Sequence, residues 1–490
     1  MRKFLTIFLL GGVVGKLLGL VRELLMASMF GTGVVATACR LSLSCIIMPS
    51  KLLSAEMQTG GFMPLFSKAK ARGDEEEAAC LFWIFLGASL VLSIGIAGLL
   101  AYSAPFWISK LAPGLNEEEH LAAVSFLHIL SLGLPAVVTS VVLSSLAMAN
   151  GRSGIAASQA SMQSLGLIGG IGGAYFSGNI LLLPIGILIG WYAYLIFALT
   201  GVRSYLPSIS TNALRARARN TASVIIRTVL PMLPVPLLEQ GNLVVERIVA
   251  SYMGGRVIPA LDYSRFICDT AMALVAMPLG YAILGHLGHY DLQRLRVRLV
   301  ELVAPIILFG SLGSFWLFSS GEFIVKLLYE RGQFGAQDVI LTSSILSWSM
   351  IGMWAYTAGY VLLRGLNISL QGKRYFLSLL IAVSVSMISK WFLWPYLGPA
   401  ALGVSYALYS GTLLLATLTH MKIKRLFLKE CGPLLIPFAA LCLMYVFDVA
   451  GMRNSLILCT SSVAACTVLS LCIPKVRRQT LSLFIRKKGA

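Results

Sequence analysis

The sequence predicts an all-α polytopic membrane protein with fourteen transmembrane helices. Hydrophobic residues make up 57% of the 490 residues and charged residues only 12%, whereas a soluble domain has about 25% charged residues. The mean hydropathy is +0.83, and the apolar runs reach the length of about 20 residues that a helix needs to cross a bilayer. This composition excludes a soluble enzyme, a disulfide scaffold and a disordered chain.

Fourteen apolar stretches, separated by polar or Gly/Pro breaks, are the predicted spans. The first stretch follows a basic Met-Arg-Lys start like that of a signal peptide, but no small-x-small cleavage motif follows it, so we expect an uncleaved first helix. The predicted spans cover residues 4–30, 34–62, 79–101, 121–149, 154–176, 179–201, 222–252, 258–285, 299–320, 338–366, 375–396, 399–420, 432–450 and 455–474.

The basic residues between the spans predict the orientation. With a cytoplasmic N-terminus, the loops predicted inside carry twenty-five Lys and Arg, and those predicted outside carry five. Cytoplasmic loops are enriched in Lys and Arg, so we expect both termini in the cytoplasm. The net charge of +19 is therefore interpreted as a topology signal, and nucleic acid is not an expected partner.

An internal similarity predicts two lobes. Helices one and seven each end in a charged pair followed by Ala-Ser and Gly, in Arg22–Gly31 and Glu246–Gly254, and a basic residue follows in the next span. An interval of six helices preserves orientation, which indicates a parallel repeat about an axis along the membrane normal; chance similarity of apolar segments is the alternative. The prediction is two six-helix lobes related by pseudo-two-fold symmetry, residues 1–205 and 206–425, with two further helices and a basic tail in 426–490.

Charged residues inside the predicted spans are the main functional signal. Each costs at least about 2.5 kcal/mol at the bilayer centre, so such residues face a watery cavity or one another. Asp262, Arg265 and Asp269 share one helix face, as do Lys16 and Glu23. The basic residues in spans are Lys16, Arg22, Arg40, Lys51, Arg227, Arg247, Arg265, Arg364 and Lys390, and the acidic ones include Glu23, Glu56, Glu239, Glu246, Asp262 and Asp269.

We interpret these charges as a cationic cavity between the lobes, suited to an anionic substrate. Local salt bridging is the alternative, and Arg227 and Arg364 fit snorkelling to the interface. The candidate substrate-binding residues are Lys16, Arg22, Lys51 and Arg265. The candidate supporting charges are Glu23, Arg40, Glu56, Glu246, Arg247, Asp262 and Asp269.

Glycines and prolines predict packing and bending. Gly166, Gly170 and their neighbours have the small-xxx-small spacing of closely packed helices. Pro231, Pro234 and Pro236 should bend or break helix seven. No catalytic, metal-binding or phosphate-loop motif is present, so we expect neither an enzyme nor a cofactor. An ion gradient or the membrane potential remains as the energy source, and no sequence feature identifies the ion.

Several motifs resemble those of the MurJ/MviN family of lipid II flippases, within the multidrug/oligosaccharidyl-lipid/polysaccharide exporter superfamily. The resemblance runs over most of the chain. The residues that carry it are Gly15–Glu23, Phe30–Gly33, Ala55-Glu56, Phe62–Pro64, Ala250–Tyr252, Asp262–Arg265, Leu328–Phe334 and Ala401–Tyr406.

The resemblance implies a transporter that moves the undecaprenyl-pyrophosphate-linked peptidoglycan precursor, lipid II, from the inner to the outer leaflet by alternating access. It also implies that Lys16, Arg22 and Arg265 match pyrophosphate-binding positions, that Lys51 lies near another, and that the last two helices border a groove for the lipid tail. Membrane lipids and the lipid-linked anionic substrate are the expected partners, and a monomer is the expected state.

The sequence also departs from the family pattern. Lys16 stands in place of an arginine, Thr37 in place of an acidic residue, and Lys51 in place of two basic residues. These departures leave open a flippase for another polyprenyl-linked oligosaccharide. An ion-coupled multidrug antiporter of the same superfamily is a further alternative, but it should line its cavity with acids and aromatics rather than with Lys and Arg.

Overall fold

The computed structural model describes residues 2–56, 62–287, 292–369, 371–447 and 456–472. All regular elements in these ranges are helices, and each predicted span overlaps at least one of them. The all-α prediction is therefore confirmed. The chain divides into two compact units, unit 1 with residues 1–259 and 331–335, and unit 2 with residues 260–330 and 336–490.

Unit 1 contains eleven of the described helices and the start of a twelfth. Helix α8 packs against α1 and α9, α2 packs against α6 and α7, and α11 contacts α2 and α5. The helices are α1 (Arg2–Phe30), α2 (Val34–Glu56), α3 (Met63–Ala71), α4 (Glu75–Tyr102), α5 (Ala104–Leu111), α6 (Glu117–Ser131), α7 (Leu134–Ala149), α8 (Gly154–Ser177), α9 (Leu182–Val202), α10 (Thr211–Val229) and α11 (Pro234–Tyr252).

Unit 2 contains most of α12 and the remaining described helices. Helix α18 packs against α15, α16 and α17, and α13 contacts α20 and α21. The helices are α12 (Val257–Leu287), α13 (Leu292–Ser319), α14 (Gly321–Tyr329), α15 (Ala336–Ile351), α16 (Met353–Ile368), α17 (Gly372–Leu397), α18 (Ala400–His420), α19 (Lys424–Cys431), α20 (Ile436–Val446) and α21 (Leu456–Cys472).

The helices include many of membrane-spanning length. Among the described residues, seven helices are long and apolar enough to cross a bilayer, and the number rises to ten when each of three bent pairs is one span. The bends lie between α6 and α7 (45°), α10 and α11 (50°), and α15 and α16 (49°). The chain is thus a polytopic helical membrane protein, while the count of fourteen spans and the two-lobe symmetry stay predictions.

The proline-rich break before helix seven bends the chain, as predicted. However, the helix before the break begins at Thr211, eleven residues ahead of the predicted span. Ser210 caps it by accepting a hydrogen bond from the Ala213 N–H at 3.2 Å. Arginine and alanine are good helix formers, so Arg215, Arg217 and Arg219 continue the helix although they are too polar for a span. By contact, α10 and α11 belong to unit 1, whereas the predicted repeat assigns them to the C-terminal lobe.

Glycines bring α8 and α9 into backbone contact. A Cβ atom on Gly166 would lie 2.5 Å from Gly190 Cα, and one on Gly170 would lie 2.6 Å from the Leu183 carbonyl oxygen. The close packing predicted from the glycine spacing is therefore confirmed for Gly166 and Gly170. Gly169 has open space at its Cβ position, because it lies on another face of α8.

Candidate functional site

Two arginines share one buried carboxylate where α1 and α2 meet. Nε and Nη2 of Arg22 donate to Glu23 Oε1 at 3.2 and 2.8 Å. From α2, Arg40 donates to both oxygens of the same carboxylate, with Nη1 at 3.3 Å from Oε1 and Nη2 bonded to Oε2. The Glu23 side chain is 2% exposed, against 27% for Arg22 and 12% for Arg40. Glu23 therefore holds both guanidinium groups, and Arg22 keeps the larger access to solvent.

One face of helix α2, which carries both charged and apolar side chains, lines a cavity of about 510 Å³ in unit 1. Arg40, Leu43, Ile47 and Lys51 follow one another at helical spacing, so they share that face. Lys51 is exposed, and it lies about 16 Å from Arg40 along the helix axis at 1.5 Å per residue. Among the described residues, Arg22, Arg40 and Lys51 bring three positive charges to the lining, and Glu23 pairs with two of them.

Five further lining positions come from α8 and α9. Gln159, Gln163 and Leu167 lie on α8, and Ile187 and Trp191 lie on α9. The lining residues in the described part of the chain are Arg22, Arg40, Leu43, Ile46, Ile47, Ser50, Lys51, Val137, Val141, Gln159, Gln163, Leu167, Ile187 and Trp191. A volume of 510 Å³ falls within the range of about 300–1,000 Å³ that is usual for sites binding small molecules.

The structure therefore brings together two of the four predicted substrate-binding residues, Arg22 and Lys51, with the supporting charges Glu23 and Arg40. Lys16 is exposed on α1 and stands outside the set of lining residues. Arg265 belongs to unit 2.

The other predicted supporting charges lie elsewhere. Glu246 and Arg247 are buried in unit 1 on α11, where Arg247 Nη1 donates to the Ile258 carbonyl oxygen at 3.4 Å. Asp262 is half-buried and Asp269 is exposed on α12, in unit 2. The side chain of Glu56 lies outside the described residues.

Sequence reasoning missed Gln159, Gln163 and Trp191, because the search for site residues was a search for charges. The available signal was two carboxamides one helical turn apart in an otherwise apolar and small-residue helix. In the described part of the chain, no three His, Cys, Asp or Glu side chains gather as the ligands of a metal ion would.

Solved structures with the same fold define the class of protein. A structure of the lipid II flippase MurJ in an inward closed conformation matches with a TM-score of 0.76 and 19% identity, covering 94% of this chain and 97% of that one. An inward-facing multidrug resistance MATE family transporter of the MOP superfamily matches with a TM-score of 0.68 and 14% identity, covering 85% and 96%. The chain therefore has the fold of this transporter superfamily.

The family follows from sequence. The model of the family described as "Lipid II flippase MurJ" matches residues 26–478. The chain belongs to the MurJ family of lipid II flippases. A probable lipid II flippase MurJ of Rhizobium tropici is 26% identical over 435 residues, which is 83% of this chain and 78% of that protein. One of Aquifex aeolicus is 24% identical over 366 residues, which is 73% and 70%.

Proposed function

We propose that this protein flips lipid II across the bacterial inner membrane by alternating access, with Arg22 and Lys51 binding the pyrophosphate. The observation that carries the binding site is the placement of Arg22, Arg40 and Lys51 in the lining of one cavity, with Glu23 paired to Arg22 and Arg40. Guanidinium and ammonium groups form charge-assisted hydrogen bonds with phosphate oxygens. An excess of cations therefore favours an anionic substrate over a cationic drug.

The ion pairs with Glu23 prepare this site for its ligand. Arg22 contacts Glu23 through Nε and Nη2, and its Nη1 takes no part in that pair. A guanidinium that is already oriented needs little rearrangement to meet an anion, and a charge pair in a partly buried site interacts more strongly than in water. Arg22 is thus the primary phosphate ligand, Lys51 the second, and Arg40 the residue that fixes Glu23 from α2.

The remaining parts of the proposal come from sequence. Both termini lie in the cytoplasm, the protein acts as a monomer, and transport involves no covalent chemistry. Arg265 of unit 2 is a further substrate-binding residue, with Asp262 and Asp269 as neighbours on its helix face. The last two helices border the lipid tail, and an ion gradient or the membrane potential drives the cycle.

Reconstitution in vesicles tests the function and the site together. Lipid II added to one leaflet should reach the other with the wild-type protein, and Arg22→Ala or Lys51→Ala should slow this movement by about tenfold, since each removes a charge-assisted contact of roughly 1.5–3 kcal/mol. Lys110→Ala is the matched control, because Lys110 is an exposed cation on α5 outside the cavity. Wild-type protein that leaves lipid II in its original leaflet would refute the function.

A second experiment tests the function in cells and the role of unit 2. Depletion of this protein, in a strain without another flippase, should leave lipid II in the inner leaflet. Arg265→Ala should fail to restore its movement at normal protein levels. Restoration at the normal rate would remove Arg265 from the site without removing Arg22 or Lys51.

A further inference from the structure

The wall of the cavity contributed by α8 and α9 carries uncharged polar groups. Gln159 and Gln163 are both half-buried and line the cavity from α8. They lie four residues apart, so they share one helix face, about 6 Å from each other along the axis. Together the two carboxamides offer four N–H donors and two acceptor oxygens along this face.

Such groups are costly inside a membrane-spanning helix unless they have polar partners. Burying an amide without a compensating hydrogen bond costs roughly 1–3 kcal/mol by protein mutational measurements. On the same helix, Gly166 and Gly170 make the contact with α9, so α8 does not need the glutamines to pack there. Because both glutamines line the cavity, their side chains can contact water or a bound ligand there.

An aromatic ring lines the same cavity as the two carboxamides. Trp191 lines the same cavity from α9 and is only 6% exposed. Its six-membered ring packs directly against Gly133, where a Cβ atom would collide with Cε3. The indole is therefore held in a slot that a glycine makes, with limited freedom to turn away from the cavity.

We propose that Gln159, Gln163 and Trp191 form a subsite for the saccharide of the lipid-linked substrate, next to the cationic subsite of Arg22 and Lys51. The inference rests on the proposed function and adds which part of the substrate each wall recognises. Sugar hydroxyl and N-acetyl groups both donate and accept hydrogen bonds, as carboxamides do. A rigid aromatic ring offers the apolar contact that a pyranose face needs, and a few polar groups among apolar ones set orientation in small-molecule sites.

Charge separates the two subsites. A carboxamide has no net charge, so its hydrogen bonds to a pyrophosphate are weaker than those of a guanidinium or an ammonium group. Conversely, the cations of α1 and α2 recognise the pyrophosphate whatever sugar it carries. The wall formed by α1 and α2 therefore recognises the anionic pyrophosphate, and the wall formed by α8 and α9 recognises the uncharged saccharide. Only the second wall distinguishes one lipid-linked saccharide from another.

Binding to the full-length protein in detergent, with two lipids, tests this division. The probes are lipid II and undecaprenyl pyrophosphate, which has the pyrophosphate and the tail but no saccharide. The variants are Gln159→Ala/Gln163→Ala and Arg22→Ala. Ser158→Ala is the matched control on the same helix, because its hydroxyl donates to the Ile155 carbonyl oxygen of α8 itself at 2.9 Å.

We expect the double glutamine variant to bind lipid II about tenfold more weakly, because the hydrogen bonds to the saccharide are lost, and to bind undecaprenyl pyrophosphate as the wild type does. Arg22→Ala should weaken binding of both lipids, and Ser158→Ala neither. Equal weakening of both lipids by the double variant, or weakening of neither, would overturn the saccharide subsite and leave the flippase proposal intact. Wild-type protein that binds neither lipid would overturn both proposals.

Discussion

Thr37 donates a hydrogen bond from Oγ1 to the carbonyl oxygen of Gly255 at 3.0 Å, and Thr37 is completely buried. This contact joins the start of α2 to the turn between α11 and α12. It also gives a physical reason for the departure from the family pattern at this position, because an ionised carboxylate accepts hydrogen bonds but cannot donate one to a carbonyl. In this chain the position requires a donor.

Substitution of Thr37 should separate the donor from the shape of the side chain. Thr37→Val keeps the branched shape and leaves the Gly255 carbonyl without its partner, which should lower the free energy of unfolding by about 1–3 kcal/mol. Thr37→Asp should lower it further, because a charged oxygen would face the carbonyl oxygen. Unfolding of the detergent-solubilised protein measures this, and Thr37→Ser, which keeps the hydroxyl, should remain close to the wild type. A Val variant as stable as the wild type would show that the bond contributes nothing.

The Glu23 carboxylate should be essential for the stability of the α1–α2 contact. Glu23→Gln keeps the shape but removes the negative charge that Arg22 and Arg40 share, which should cost about 3 kcal/mol, as breaking other buried pairs does. Adding Arg40→Gln to this variant should recover part of the loss. A double-mutant cycle on unfolding free energies measures the coupling, and additive effects of the two substitutions would contradict the shared carboxylate.

A glycine in the segment between α14 and α15 should be irreplaceable. Gly332 has a left-handed φ of 60°, a Cβ atom there would collide with the Ser28 carbonyl oxygen, and the next N–H, of Gln333, donates to that oxygen at 2.8 Å. A left-handed backbone alone costs an alanine about 1–2 kcal/mol, so Gly332→Ala should lower the thermal unfolding midpoint clearly. Gly335→Ala is the control in the same segment, since the space around it is open. Equal midpoints for the two variants would refute this reasoning.

Asp74 should make stability depend on pH at the start of α4. It accepts a hydrogen bond from the Glu77 N–H at 2.8 Å and an ion pair from Arg217 at 3.1 Å, and the N–H bond first, then Arg217, holds the pKa of Asp74 below its ordinary value. The stabilisation from a lowered pKa is present above the unfolded pKa of about 3.9 and is lost as pH falls through the folded value.

Asp74→Asn isolates this charge, because asparagine is also a good helix cap. The stability advantage of the wild type over Asp74→Asn should be constant above about pH 5 and should shrink towards pH 3. Thermal unfolding across this range measures it. A constant advantage over the whole range would mean that the ionised form of Asp74 contributes nothing.

Hydropathy predicted most of the fold, since a span needs only length and apolar composition. It did not predict the first part of α10, residues 211–221, because a basic helix such as that around Arg215 and Arg219 has the hydropathy of a loop. It also did not predict the bends near Gly133 and Gly352, because a window average records composition and not direction. Each depends on how helices pack, which a single sequence does not contain.

The cost of burying charge predicted half of the candidate site. Arg22 and Lys51 were identified because a charged residue in a membrane span requires a watery cavity or a charged partner. The partnership of Glu23 with Arg40 was not, since it depends on how α1 meets α2, and the sequence placed Glu23 on one face with Lys16 instead. Gln159 and Gln163 were missed because an uncharged amide is a weak signal until its surroundings are known.

The backbone contact between α8 and α9 has a consequence for what the protein can accept as cargo. Because Gly166 meets Gly190 with no side chain between them, the two helices cannot approach further, and they would lose this contact if they separated. We therefore expect them to move as one body. The spacing between Gln163 and Trp191 is then constant through the proposed transport cycle. A relative whose lipid-linked substrate carries a different saccharide would therefore need substitutions at the lining residues of α8 and α9, because the spacing of these two helices is fixed.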